Sequence, residues 1–430
     1  MKKPTLRLVS IGPFHYGREE LGDIEMHKLR YFMDFCKRTS KSQKSLLKII
    51  EDDEEKIRHC YSEEFRNRSS IDFVKMILLD AIFIIELFLK TNQKIQNKEE
   101  ECDYILRKPL LGNGILHDLI LLENQLPFFV LEKLYMSACN DNHPPFLDLF
   151  CDYFTHYKWA NYSFKSEKVK QKAKEKVKQQ EKQQVNHFTD LVRLLYCPPD
   201  VVKKWSSEEA GRPDTRFCAT KLDDAGFNFK GVEDHSKPLL DIKLPTFVVR
   251  HWCRACLCFF CCFPCIFCLC ILCFRCLNHL LRGSLEVPQL VIDYETEVIF
   301  RNLMALEQCH YPSEAYICSY VWLLDRLIET EKDVDLLVKK KVIANNLGSN
   351  TEVATLINKL GNQIVATTSS YDHIARRLNG RYENGWIQLL ATLKREYFPN
   401  IFRGTATIVG LIVLAFTLWN FRLSIVKKED

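Results

Sequence analysis

At 430 residues, 47% of them apolar, the chain can bury a sizeable core as one large domain or two ordinary ones. Glycine and proline number only fifteen each, which favours helices and argues against turn-rich sandwiches and propellers. The formal net charge is +5, and much of it sits in one lysine run, so it says little about the folded body.

The first residues, MKKPTLRLVSIGPFHYG, hold no apolar core of signal-peptide length and no small-residue cleavage site. Gly does not follow Met1, so there is no myristoylation site either. Residues 26–60 alternate apolar and charged positions at helical spacing, with Leu29, Phe32, Met33 and Cys36, then Leu46, Leu47 and Ile50, as the apolar set. Residues 71–90, IDFVKMILLDAIFIIELFLK, are helix-length and strongly apolar. Asp72, Lys75, Asp80, Glu86 and Lys90 interrupt the run, so it reads as a central core helix and not a membrane span.

In residues 110–139, Asn113-Gly114 is a turn signal, and the helix after it is expected to break or kink near Pro127. Leu119, Leu122, Leu126, Phe129 and Leu134 are its expected inward face. Residues 165–184 carry eight lysines and three glutamates with almost nothing apolar, as in an exposed helix or linker. Without interleaved aromatics or arginines the run does not read as a nucleic-acid arm.

A second helical region starts at 187–196. Short strands or extended segments are expected in 221–233 and 239–249, and LEVPQLVID (285–293) alternates apolar and polar residues, with Pro288 restricting it to an edge or irregular position. From 294 the pattern is helical again, through Val298, Phe300, Leu303 and Leu306, then Tyr316 to Leu327, then two more helices, the second capped by Ser349 or Asn350.

Residues 404–421, GTATIVGLIVLAFTLWNF, hold no charge and lie between Arg403 and Arg422. At 1.5 Å per residue the run is about 27 Å long, enough to cross a hydrocarbon core. It begins at Gly404 and ends at Phe421, with Trp419 near the end, where interfacial aromatics are favoured. The expected organisation is a helical region 1–164, a lysine-rich linker or helix 165–186, a helical region with short strands 187–400, a transmembrane helix 404–421 and a basic tail 422–430. The fold class is mainly α, a large helical globule with a few short strands plus that terminal span.

Ten of the nineteen cysteines crowd into CRACLCFFCCFPCIFCLCILCFRC (253–276), inside an apolar insertion at 250–282. The spacing could supply thiolates to zinc or an iron–sulfur cluster, but the intervening Phe, Leu and Ile offer neither hydrogen bonds nor charge compensation. Adjacent Cys261-Cys262 fits a disulfide framework poorly. Residues 255–274 are twenty without a charge, between Arg254 and Arg275, so a membrane-inserted or acylated loop fits better. Cys253, Cys256 and Cys276 are the S-acylation candidates. An insertion without a role of its own, including a translated intron, is the duller alternative. The other nine cysteines are scattered and read as buried free thiols.

Seven stretches, VSIGPFHYG (9–17), MHKLRYF (26–32), LLENQLPFFVLEKLY (121–135), DDAGFNFK (223–230), LEVPQLVIDYETEVIFRNLMALEQC (285–309), YVWLLDRLIETEKDVDLL (320–337) and LKREYFPNIFRGTATIVGLIVLAF (393–416), together resemble the plant domain-of-unknown-function 247 family across nearly the whole chain. The resemblance implies a plant-specific, mostly helical protein with one C-terminal membrane helix and no established enzymatic activity. Some relatives are encoded at grass self-incompatibility loci and are proposed recognition determinants. The chain departs from the family in having only eight residues before VSIGPFHYG and in carrying the cysteine block between its DIKL and LEVPQL segments.

No reaction is specified. Cys309-His310 are sequence neighbours whose side chains diverge, reading as a core cysteine beside a surface histidine. Asp80 and Glu86 stand about 240° apart around a helix and do not converge. Glu123-Asn124-Gln125 is expected to satisfy backbone freed at Pro127. Asp293, Glu295 and Glu297 lead into a helix, where carboxylates are favoured. There is no phosphate-binding loop, dinucleotide fingerprint, zinc-protease motif or nucleophile elbow. No catalytic residue, cofactor or metal ligand is therefore assigned.

The expected protein is a non-catalytic, single-pass protein of the plasma membrane or endomembranes, touching membrane lipid and a protein partner in recognition. An enzyme with a pocket between the two helical regions, or metal binding by the cysteine block, are the alternatives. Asn67 and Asn161 head glycosylation sequons, usable only in a lumenal or extracellular body. The basic residues flanking the span nearly balance, and abundant free cysteines tilt the expectation towards a cytosolic body.

Overall fold

The structure is a computed structural model that describes residues 8–62, 68–96, 103–139, 143–156, 185–196, 217–233, 239–242, 283–365, 369–385, 388–389, 392, 396 and 401–429. Asn67, Asn161, the lysine-rich run 165–184 and the cysteine block with Cys253, Cys256 and Cys276 lie outside the described residues.

Helices α1 (Gly22–Thr39), α2 (Gln43–Asp52) and α3 (Glu54–His59) precede the long α4 (Ser70–Ile95). Ser69 caps α4 by accepting the Asp72 amide. From Phe73 to Leu89 nearly every α4 side chain is buried, so the helix is apolar all round and must be wrapped. α1 and α2 pack on it, as do α6 (Phe128–Ala138) and α7 (Phe146–His156), with α5 (Pro109–Asp118) just before them in the chain. Phe88 packs against the rings of Phe146, Tyr153 and Phe188. A buried ring of this kind contributes about 1.5–3 kcal/mol by leaving water.

Three local expectations change here. Asn113-Gly114 lies inside α5 and makes no turn; Leu8 crosses so close that a Cβ on Gly114 would overlap it. Leu29 and Met33 are exposed, because α1 turns Ile24, Lys28, Tyr31 and Phe35 inward instead. The chain does break at Pro127, which stands at the N-cap of α6. Leu119, Leu126 and Leu134 are buried, but Leu122 and Phe129 are only half-buried.

The second region begins with α8 (Phe188–Tyr196) and α9 (Ala219–Asp224). Strand β1 (Phe227–Val232) pairs in parallel with β2 (Gly283–Pro288), and β3 (Leu290–Ile292) pairs in parallel with β4 (Ile343–Asn345). Phe229 lies opposite Leu285, and Leu290 opposite Ile343. Pro288 ends β2, where a missing amide costs no ladder bond. Leu239, Leu240 and Ile242 are buried without forming a strand. The helices α10 (Thr296–His310), α11 (Tyr316–Leu327), α12 (Glu331–Lys339), α13 (Asn350–Gly361) and α14 (Asp372–Tyr382) complete the body. One hydrophobic cluster runs from Val9 to Leu378.

The last helix, α15 (Ile401–Glu429), stands apart from that cluster. Its segment Phe402–Asn420 spans 19 residues at mean hydropathy 1.6 and is 7% buried, so it is long and apolar enough to cross a membrane by length and composition. Trp419 is exposed, as are Val413, Leu414 and Phe416, whereas Gly404 is buried. Phe421 lies within the helix.

Candidate functional site

The segment 9–17 is held by side chains in place of a neighbouring strand. Val9 N donates to Asp118 Oδ2 at 2.9 Å, Ile11 N to Asn124 Oδ1 at 2.6 Å, and Gly12 N to Asp80 Oδ2 at 2.8 Å. Leu8 N also donates to Asp118. Asn124 Nδ2 returns a bond to Val9 O at 3.0 Å. Gly12 has φ +73°, and a Cβ there would stand 2.8 Å from Gln125 O, so both conformation and space require glycine. Gln125 Nε2 donates to Leu119 O and Leu121 O, and its Oε1 accepts Phe188 N at 3.0 Å.

These bonds correct the expectation for Glu123-Asn124-Gln125. Asn124 and Gln125 satisfy backbone at 9–11, 118–121 and 188, while Phe128 N next to Pro127 donates to Asn186 O.

Under this clasp lies a buried ion pair. Lys28 Nζ donates to Asp80 Oδ1 at 2.6 Å and also to Ser10 O. Burial works against the Lys28 ammonium, but Asp80 and Glu25 outweigh it and hold its pKa above the ordinary value. Burial pushes the Asp80 carboxyl up to about 6, against the opposing pull of Lys28 and the Gly12 amide. Both values rise, which favours the charged form of Lys28 and disfavours that of Asp80; the ammonium is the securely charged partner, and Asp80 is the one that takes a proton first. Glu86 pairs separately with Arg38 at 2.8 Å, so Asp80 and Glu86 indeed do not converge.

Beside the clasp opens a cleft of about 740 Å³. Its walls come from Pro13 and Phe14, from α3 and Tyr61, from Leu122 to Phe129, from Val185 to His187, and from the C-terminal turn of α10. Half-buried Leu122 and Phe129 face this space, which is why they are not fully packed. Lys56 Nζ stands 4.0 Å above the Phe129 ring. His15 Nε2 lies 3.2 Å from Glu123 Oε2. His187 Nδ1 accepts the Asp190 amide at 3.3 Å, which leaves its proton on Nε2. Burial drives the His187 pKa down to about 4, with Asp190 opposing and nearby His310 assisting.

Cys60 and Cys309 both line the cleft and are exposed. Cys309 is thus no core cysteine, although His310 is exposed as expected. Burial raises the Cys60 thiol, against the pull of Lys56, so it is not an activated thiolate. Among the described residues Cys151, Cys218 and Cys318 are buried thiols outside any disulfide, with Cys36 and Cys139 half-buried. Among the described residues no group of three or more His, Cys, Asp or Glu is arranged to hold a metal ion.

Other buried carboxylates also serve backbone amides. Glu307 accepts Ile317 N at 3.1 Å, Cys318 N at 2.9 Å and Arg193 Nε at 3.1 Å, tying α8, α10 and α11 together. Asp333 accepts Thr220 N at 2.9 Å and Thr330 N at 2.9 Å. Asp293 accepts Thr296 N at 3.0 Å and prepares the start of α10, as the acidic lead-in implies. Lys28, Asp118, Arg193, Glu307 and Asp333 escaped the sequence reading. For Asp118 and Glu307 the available signal was a lone carboxylate inside an apolar run.

A mainly helical globule, with two parallel strand pairs and one exposed apolar terminal helix, is the class that fold and site define. The chain belongs to the DUF247 family, described as a plant protein of unknown function, whose model it matches over residues 4–416. It is 27% identical to the Arabidopsis thaliana UPF0481 protein At3g47200, over 98% of this chain and 82% of that protein. It is 22% identical to the putative UPF0481 protein At3g02645 of the same plant, over 95% of this chain and 85% of that protein. No solved structure matches.

Proposed function

We propose that this protein is a non-catalytic, membrane-anchored recognition protein, held by α15 as a single span in the plasma membrane or endomembranes. The observation that carries the reading is the exposed apolar stretch Phe402–Asn420, which is only 7% buried and is long and apolar enough to leave water by entering lipid. The buried ionisable groups of the body support it too. Asp80, Glu86, Glu307 and Asp333 are engaged by backbone amides or paired cations, an arrangement that specifies a fold. The body faces the cytosol and presents its surface to a protein partner. Cys253, Cys256 and Cys276 add acyl anchors to the same membrane.

Alkaline carbonate extraction of plant membranes tests the anchor. Full-length protein should stay in the pellet, and a chain ending at residue 400 should move to the supernatant once hydroxylamine has cleaved its acyl thioesters. Full-length protein in the supernatant would sink the reading. Glycosidase treatment reports the side: no mobility shift at Asn67 and Asn161 is expected for a cytosolic body. An enzymatic reading gains from one observation, that the cleft lies where the two helical regions meet. Turnover by purified protein that is lost on filling the cleft would favour it.

A further inference from the structure

We infer that the cleft between α3, the 122–129 segment and the end of α10 is a binding site for a small amphipathic carboxylic acid. Its volume, about 740 Å³, lies within the range of small-molecule sites, and its walls have the usual mix of apolar surface and a few polar groups. Leu122, Leu126, Pro127, Phe129 and Leu306 supply a surface for a flat or chain-like apolar body.

Three of the polar groups can present a donor or a charge to an acid. Lys56 brings an ammonium with no carboxylate partner among the described residues, parked over Phe129. His187 is locked with its proton on Nε2 by the Asp190 amide, so it is a neutral donor. His310 lines the same cleft, close enough to His187 to act on it electrostatically. The single acidic side chain of the lining, Glu123, is engaged by His15. Lys56 is exposed at the rim and Glu123 is half-exposed and turned to His15, so the ammonium and the His187 Nε2–H are what a single carboxylate can meet; a phosphate, with nearly twice the charge, would face Glu123 with only one cation to offset it. A neutral ligand would gain nothing from the exposed ammonium. The inference stands whether or not α15 enters lipid.

The test is titration calorimetry of full-length protein in detergent micelles, with an empty-micelle blank, using 1-naphthoate and its neutral relative 1-naphthylmethanol. Naphthoate should bind with a dissociation constant on the order of 0.1–1 mM, and the alcohol about tenfold more weakly. Lys56→Met keeps the aliphatic stem and should weaken naphthoate about tenfold without changing the alcohol. Ala305→Trp, at an exposed lining position, fills the space and should abolish both. Equal binding of acid and alcohol overturns the inference, as does naphthoate binding that survives Ala305→Trp or the absence of saturable binding. Unchanged circular dichroism confirms that each variant is folded.

Discussion

Lys28 and Asp80, 52 positions apart in sequence, meet at 2.6 Å with both side chains buried, and the same carboxylate receives the Gly12 amide. The pair therefore joins α1, α4 and the 9–17 segment at one point. Removing the cation leaves a buried carboxylate with the Gly12 amide as its remaining donor among the described residues. Lys28→Met should lower the unfolding free energy by roughly 3–5 kcal/mol. Combining it with Asp80→Asn should cost clearly less than the sum of the two single changes. Denaturant titration of the four chains in micelles measures both quantities; additive costs would show that the contact is not an energetic unit.

Arg193 and Glu307 form a second such joint, linking α8 to α10 with both side chains almost fully buried. Glu307 also holds the first amides of α11, so it has more to lose than its partner. Glu307→Ala is expected to cost roughly 3–5 kcal/mol, because it removes the buried carboxylate that pairs with Arg193 and accepts two α11 amides. Glu307→Gln, which keeps the shape and one acceptor, should cost less. Thermal unfolding of the two variants side by side checks the order.

What was legible in the sequence divides along physical lines. The α4 run and the apolar terminus were legible because their signals are local: an unbroken apolar stretch with interruptions in one and none in the other. The inward face of α1 was not, because Lys28 becomes a core residue only once Asp80 lies across from it, while Leu29 and Met33 turn outward. Asn113-Gly114 failed as a turn signal because the crossing of Leu8 selects glycine for space inside a helix. Strand β4 is three residues long, and its parallel partner lies some fifty positions earlier, so no local period announces it. The cleft shows only in three dimensions, since its walls come from five separate stretches.

His117 should make the body acid-sensitive. It is mostly buried beside Glu295 at 3.5 Å, and burial lowers its pKa to about 4, against the raising influence of Asp293. The unfolded chain holds the ordinary histidine proton up to about pH 6.5. Between pH 6.5 and 4 the unfolded state therefore binds more protons, so stability falls as pH falls through that window. His187 acts in the same sense, and Asp80, raised to about 6, acts in the opposite one. The check is a comparison of wild type and His117→Asn: the variant should lose less stability from pH 7 to pH 4.5, by about 1–3 kcal/mol. Identical pH profiles would contradict it.

Gly231 and Gly380 should respond oppositely to alanine. A Cβ on Gly231 would overlap the Lys341 carbonyl where β1 crosses the turn before β4, whereas among the described residues nothing lies within 4 Å of a Cβ on Gly380 in α14. Gly231→Ala is expected to destabilise by about 3 kcal/mol, because backbone has to move. Gly380→Ala should stabilise by about 0.5–1 kcal/mol through helix propensity. Melting temperatures of the two variants would move in opposite directions; a shared direction would refute the assignment of Gly231 as a close-contact position.

Leu414 lies within the exposed apolar stretch Phe402–Asn420, and its side chain is 58% exposed. On a helix that is merely solvent-exposed, Leu414→Arg would be nearly neutral or favourable. On a helix that spans lipid, a charge near the middle costs about 2.5–3.5 kcal/mol, enough to divert much of the chain from insertion. Trp419→Arg, near the interfacial end, should be tolerated far better, because a long basic side chain there reaches the headgroups. Expressing both variants, removing acyl groups with hydroxylamine and measuring the carbonate-resistant fraction separates the cases. Strong loss for Leu414→Arg with little loss for Trp419→Arg is the depth-dependent response of a membrane span, while equal retention of both would place α15 outside the bilayer.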